Sequence, residues 1–265
     1  MSRQSKKRKV DEMATVKNEE EDLPSLGRSL NYGSALGADV TAFKVGKNET
    51  IFRVHTKILS EKAPSFYTRA VEEQGGLLPA QEPAIFGLFV EWIYTGHIQQ
   101  ISRAERDNLD GEEANALEDL LSMELLRLYG FGLEFKISPL MDLCITNYMR
   151  DPSAFDFEHF EYAYGNFAPC RLRKLFVLFL AYELTYENPN PTGDIGIQKI
   201  ERRAYSKEVS RSLGKFEDLR MDVVSFMLAP TTLEPLRDMK LNPLELDPCL
   251  FHEHEGSEEC KAKKK

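Results

Sequence analysis

Cysteine is scarce in this chain: four in 265 residues, at Cys144, Cys170, Cys249 and Cys260. With no apolar leader at the N-terminus, that usage argues against a disulfide scaffold and predicts free thiols in a reducing compartment. Long apolar runs are missing as well. The longest, residues 175–182 (LFVLFLAY), falls far short of the roughly 20 residues that a membrane span needs. Arg171, Arg173 and Lys174 lie just before it, so it reads as a buried helix. Positive charge is in deficit, 34 Lys and Arg against 43 Asp and Glu, for a net −9. Proteins that grip a phosphate backbone present a basic face, so neither direct nucleic-acid contact nor membrane contact is expected of the body of the chain.

Catalytic signatures are missing too. There is no G-x-S-x-G, no phosphate-cradling glycine loop, no H-E-x-x-H and no local Cys/His pair of a recognisable type. The acidic pairs Glu72-Glu73 and Glu112-Glu113 are adjacent, so on a helix their side chains diverge instead of flanking one substrate. The expectation is a protein that is not an enzyme. What is present is ordinary globular material, 42% hydrophobic and 29% charged, enough to build a core.

Charge is segregated at the start. Arg3, Lys6, Lys7, Arg8 and Lys9 precede an acidic stretch with Asp11, Glu12, Glu19, Glu20, Glu21 and Asp22, so residues 1–28 are expected to be disordered. From Asp39 the pattern is that of a β-hairpin. Thr41, Phe43 and Val45 share one face, Gly46-Lys-Asn48 supplies the turn, and Phe52 and Val54 alternate with Ile51 and Arg53. Thr56 suits the cap of a helix that Pro64 interrupts, and Pro83 opens one carrying Ile85, Phe86, Leu88, Phe89, Trp92 and Ile93. Residues 96–115 read as an exposed acidic insertion. Helical spacing resumes at Leu117, Leu120, Leu121, Leu125 and Leu128, with Tyr129-Gly130 as its end, and Pro139 opens the next helix. A second helical group follows: Leu172, Leu175, Phe176 and Phe179, then Phe216, Leu219, Val223 and Phe226. Asn188 to Gly193 marks a loop between them, and no repeat of a client-binding kind is visible.

One ordered set of residues goes further. Ala38-Asp-Val-Thr-Ala-Phe-Lys-Val-Gly46, Thr50-Ile-Phe-Arg-Val-His55, the run His55-Thr-Lys-Ile-Leu59, Ser65-Phe66 and Trp92-Ile-Tyr-Thr-Gly96 follow one another at set spacings. Together they resemble the BTB/POZ family over residues 29–148, and the later helices resemble the C-terminal extension of fungal members. The resemblance implies an α+β fold, a helical cluster flanked by a short β-sheet, followed by a mostly helical extension over 149–240 and a polar tail over 241–265. It also implies a protein-binding function: self-association as a homodimer, recruitment of a client to a cullin-type ubiquitin ligase, or both. In cullin-binding members a hydrophobic-x-Glu element lies near Val71-Glu72-Glu73, which makes Val71 and Glu73 candidate partner contacts. A nuclear scaffold or transcription cofactor without a ligase role is the alternative.

Three further groups carry chemistry. The run Lys6, Lys7, Arg8 and Lys9 resembles a single-cluster nuclear localisation signal, which places the protein in nucleus or cytoplasm. Cys249, His252, His254 and Cys260 are zinc-capable donors spaced C-x2-H-x-H-x5-C, so the rival reading from another class is a zinc-binding regulatory protein. That spacing is not a common finger spacing, and a solvated tail with incidental Cys and His is the plainer expectation. His55 is expected as a core imidazole satisfied by a backbone group, Asp39 as a buried acceptor or a charged dimer contact, and Phe89, Trp92 and Tyr94 as core packing.

Overall fold

Period-two alternation builds the sheet. The computed structural model describes residues 36–98, 111–150, 157–185, 207–228 and 243–254. Strands β1 (Val40–Val45) and β2 (Thr50–His55) pair antiparallel, Val40 opposite His55 and Val45 opposite Thr50. Phe43, Val45 and Val54 point inward and are fully buried, while Ile51 and Arg53 face outward. The two-residue β3 (Leu77–Leu78) lies parallel to β1 on its other side, giving the order β2-β1-β3. Gly76 makes that approach feasible. Its φ is +79°, and a Cβ there would stand 2.5 Å from the Ala42 carbonyl oxygen. Any side chain would push β3 off the sheet.

Between β2 and β3 run α1 (Thr56–Lys62), α2 (Pro64–Tyr67) and a π-helical turn over Thr68–Glu73. Pro64 separates the first two as expected, with Ala63 in a non-helical conformation. Thr56 does not cap α1. The flanking residue is His55, and the Thr56 hydroxyl lies 2.9 Å from that of Thr41 instead. Helix α3 (Pro83–Thr95) begins at a proline and ends at Gly96 in the left-handed conformation. The core is aromatic: Phe66 lies 4.8 Å, centroid to centroid, from both Phe89 and Phe135, 5.5 Å from Phe131 and 5.6 Å from Phe43.

Helix α4 (Gly111–Phe135) departs from the sequence reading at both ends. It begins inside the supposed insertion, whose residues 99–110 lie outside the described residues. It also runs through Gly130, where an end was expected. A Cβ on Gly130 would stand 2.7 Å from the Phe167 ring, and one on Gly132 would stand 2.8 Å from Met141 Cγ. These glycines let neighbouring segments approach the helix, a use that a sequence-local stop signal does not reveal.

Helix α5 (Ser138–Tyr148) closes the first group. The second comprises α6 (Phe157–Asn166), α7 (Arg171–Thr185), α8 (207–215) and α9 (Glu217–Leu228). The expected apolar stripes hold: Leu172, Leu175, Phe176, Leu219 and Val223 are all buried. The class is α+β, mostly helical with one small sheet. Among the described residues no helix is long and apolar enough to cross a membrane. The N-terminal segment with Lys6, Lys7, Arg8 and Lys9, and the loop at 188–193, lie outside the described residues.

Glu161 on α6 ties α8 down. Its carboxylate accepts from Lys215 Nζ at 2.6 Å and Arg211 at 3.3 Å. The Lys215 hydrogen bond, more than any other influence, holds this carboxyl below its usual range. A depressed folded-state value contributes stability above the unfolded value, roughly 4.3, that disappears as pH falls through the lower folded value. Glu161→Gln should therefore destabilise by about 1 kcal/mol or less at pH 7, since both cations are half-exposed. Urea midpoints of the two proteins should converge as pH falls below about 4.

Candidate functional site

Residues 243–254 are not a solvated tail. Pro243–Glu245 and Pro248–Leu250 form short 3₁₀ turns, and Phe251 and His252 are buried. The Asp247 side chain accepts from the Cys249 amide at 3.1 Å, and Phe251 N donates to the Pro248 carbonyl at 2.9 Å, which turns the chain tightly. Glu253 then anchors it twice. Its amide donates to Asp142 Oδ1 on α5 at 2.6 Å. Its carboxylate accepts from the Tyr129 hydroxyl on α4 at 2.8 Å and from the Arg171 amide, first in α7, at 3.1 Å. A carboxylate at a helix N-terminus satisfies an otherwise unpaired N–H and complements the helix dipole. Burial, followed by the nearby Cys170 and Glu253, drives the Tyr129 phenol far above its usual range, so it remains a donor. Burial likewise raises the Asp142 carboxyl, opposed by the Glu253 amide.

This anchoring brings Cys249, His252 and His254 together, their donor atoms all within 4.8 Å of one another. His252 Nδ1 lies 3.1 Å from His254 Nε2, and His252 Nε2 lies 2.9 Å from the Thr146 hydroxyl. His254 Nε2 is also 3.5 Å from Asp142 Oδ2. Cys260, the fourth donor expected from sequence, lies outside the described residues. Sequence reasoning missed Tyr129, Asp142 and Thr146. Their only signal was polarity within apolar helical stretches, with Asp142 and Thr146 four apart and so on one face of α5. Cys144, Cys170 and Cys249 are not joined in disulfides. Burial pushes Cys144 and Cys170 up and keeps them protonated.

The outer face of the sheet carries exposed apolar side chains. Val40, Ile51 and Leu77 stand 47%, 57% and 52% exposed, and the register places Ile51 and Leu77 on either side of Lys44. Asp39 is exposed, not buried; its carbonyl, not its carboxylate, accepts from Thr56 N at 2.9 Å. His55 is half-buried and meets a side chain, not a backbone group. The Tyr94 hydroxyl lies 2.7 Å from its Nδ1 and accepts from its amide at 3.0 Å. Tyr94 is therefore a surface strut, 36% exposed, whereas Phe89 and Trp92 are buried as expected.

Val71 is half-buried in the π-helical turn and packs on the core, and Glu73 at its end is exposed. Between α3, α4 and α6 opens a cleft of about 490 Å³. Gln81 Nε2 to Glu134 Oε2 at 2.8 Å and Arg127 to Glu82 at 3.0 Å cross its polar rim. No protein-family model matches the chain, and comparison with curated proteins and with solved structures returns no match.

Proposed function

We propose that this chain is a protein-association module of the BTB/POZ type that self-associates through its sheet-bearing half and recruits a client to a cullin-type scaffold. The observation that carries this reading is the order of elements from β1 to α5. A hairpin, a broken helix pair, a short returning strand and three helices enclose one phenylalanine core, and the residues of the resemblance take structural places within it. Phe43, Leu59, Phe66, Trp92 and Ile93 are its interior, and Gly96 ends α3 with a positive φ. The exposed Val40, Ile51 and Leu77, the last two flanking Lys44, supply apolar contacts for association, and Asp39 is open to a partner. Strand β2, at the edge of the described sheet, presents backbone groups to which another strand can add.

Light scattering of the purified full chain, together with affinity capture from a eukaryotic lysate probed for cullins, tests the reading. The expected result is a dimer that Ile51→Lys shifts at least tenfold toward monomer, and a cullin that Val71→Glu fails to recover while its far-UV dichroism is unchanged. A monomer at all concentrations that captures no cullin overturns the proposal.

A further inference from the structure

We propose that Cys249, His252 and His254 form a site for a divalent ion of the zinc class, and that the ion stiffens the turn at 248–254. A thiolate and two imidazoles are the donors that this borderline-soft ion prefers over the hard cations, which take oxygen. The spacing fits as well. Two imidazole nitrogens on one tetrahedral zinc, each about 2.0–2.1 Å from it, stand about 3.3 Å apart. His252 Nδ1 and His254 Nε2 are 3.1 Å apart. The Cys249 thiol belongs to the same group, within 4.8 Å.

The surroundings fix the tautomer that a ligand needs at His252, and the proton by which His254 Nε2 meets His252 Nδ1 would leave as the ion binds. The Thr146 hydroxyl donates its one proton to the Asp142 carbonyl at 2.9 Å, so it accepts from His252 Nε2. That hydrogen bond places the ring proton on Nε2 and turns the Nδ1 lone pair toward His254. Ligating histidines are held in this way, by a hydrogen bond from the nitrogen that the metal does not use. Two histidines at i and i+2 converge only where the chain bends. Here the bend is set from outside: the Glu253 amide between them is fastened to Asp142 Oδ1, and Phe251 before them is buried. Three donors within six positions, presented by a clamped turn, leave the fourth tetrahedral position for water or a further donor. The role is structural, because the ion would stiffen the same turn that Glu253 fastens to α4, α5 and α7.

Full-length protein purified without chelator and analysed for metal by mass spectrometry should hold about one zinc per chain, falling at least tenfold in Cys249→Ser and in His254→Ala. Chelation should lower the wild-type Tm by about 5 °C or more and leave that of Cys249→Ser unmoved. Cobalt(II) titration of the wild type keeps the test decisive should a variant not fold. Tetrahedral binding gives intense visible bands together with a near-ultraviolet thiolate band. Wild-type protein that retains no zinc and develops neither band with excess cobalt overturns the proposal. So does a Cys249→Ser/His254→Ala double variant that keeps stoichiometric zinc.

Discussion

Phe66→Ala should cost about 3–5 kcal/mol, the usual range for emptying a fully enclosed phenylalanine site. The ring is completely buried and meets Phe43, Phe86, Phe89, Phe131 and Phe135, residues contributed by β1, α3 and α4. Its removal unsupports the sheet and two helices at once, and collapse cannot fill the gap because each neighbour is held by others. Natural domains are stable by about 5–15 kcal/mol, so a loss of this size removes roughly a third to a half of a mid-range stability. Phe66→Leu, which refills most of the volume, should cost about half as much. Urea titration checks both: the midpoint should fall while the slope with denaturant stays the same. A Phe66→Ala loss below about 1 kcal/mol would show that this cluster is not what holds the first half together.

Arg173→Ala should cost about 3 kcal/mol, through packing more than through charge. Its side chain is only 4% exposed, although Asp218 and Asp222, 3.4 and 3.1 Å away, stand 72% and 46% exposed. Removing the guanidinium does not strand those carboxylates, since water reaches them. What is lost is the stack of the guanidinium on the Tyr164 ring, 4.0 Å to the centroid, and the hydrogen bond to the Phe167 carbonyl at 3.3 Å. The guanidinium already sits with Nε unpartnered, a standing desolvation penalty. Arg173→Met should therefore recover more than half of the alanine loss, as apolar replacements of buried ions often do. Equal losses in the two variants would assign the effect to the ion pairs. Thermal unfolding monitored at several salt concentrations makes the same distinction, because a packing loss does not vary with salt.

The parts of this molecule legible in the sequence were those governed by local periodicity. The alternation through Phe43 and Val45 gave the hairpin with its inward face, and the spacing of Leu172, Leu175 and Phe176 gave α7. Pro64, Pro83 and Pro139 each sit at a helix start because the missing N–H is harmless there. The misreadings share one physical origin, contact between residues distant along the chain. Gly130 reads as a stop until Phe167 is seen against it. Tyr94 reads as core packing until its exposure is seen, and of the two readings of Asp39 exposure removes the buried one. The cluster at 249–254 was legible as a set of donors. Its convergence depends on Asp142, Thr146 and Tyr129, more than a hundred residues earlier, and no spacing rule encodes that.

The hydrogen bond from Tyr129 to Glu253 spans 124 positions, and Asp142 reaches the same residue across 111. A ribosome releases the chain from its N-terminus, so β1 to α5 can collapse around their phenylalanines while the segment that seals α4, α5 and α7 is still unsynthesised. For that interval the Tyr129 hydroxyl, the Asp142 carboxyl and the pocket for Phe251 face water, and the nascent extension is open to chaperones and proteases. Long-range closure of this kind is slow compared with helix formation, so the turn should seat after the helices it joins have formed.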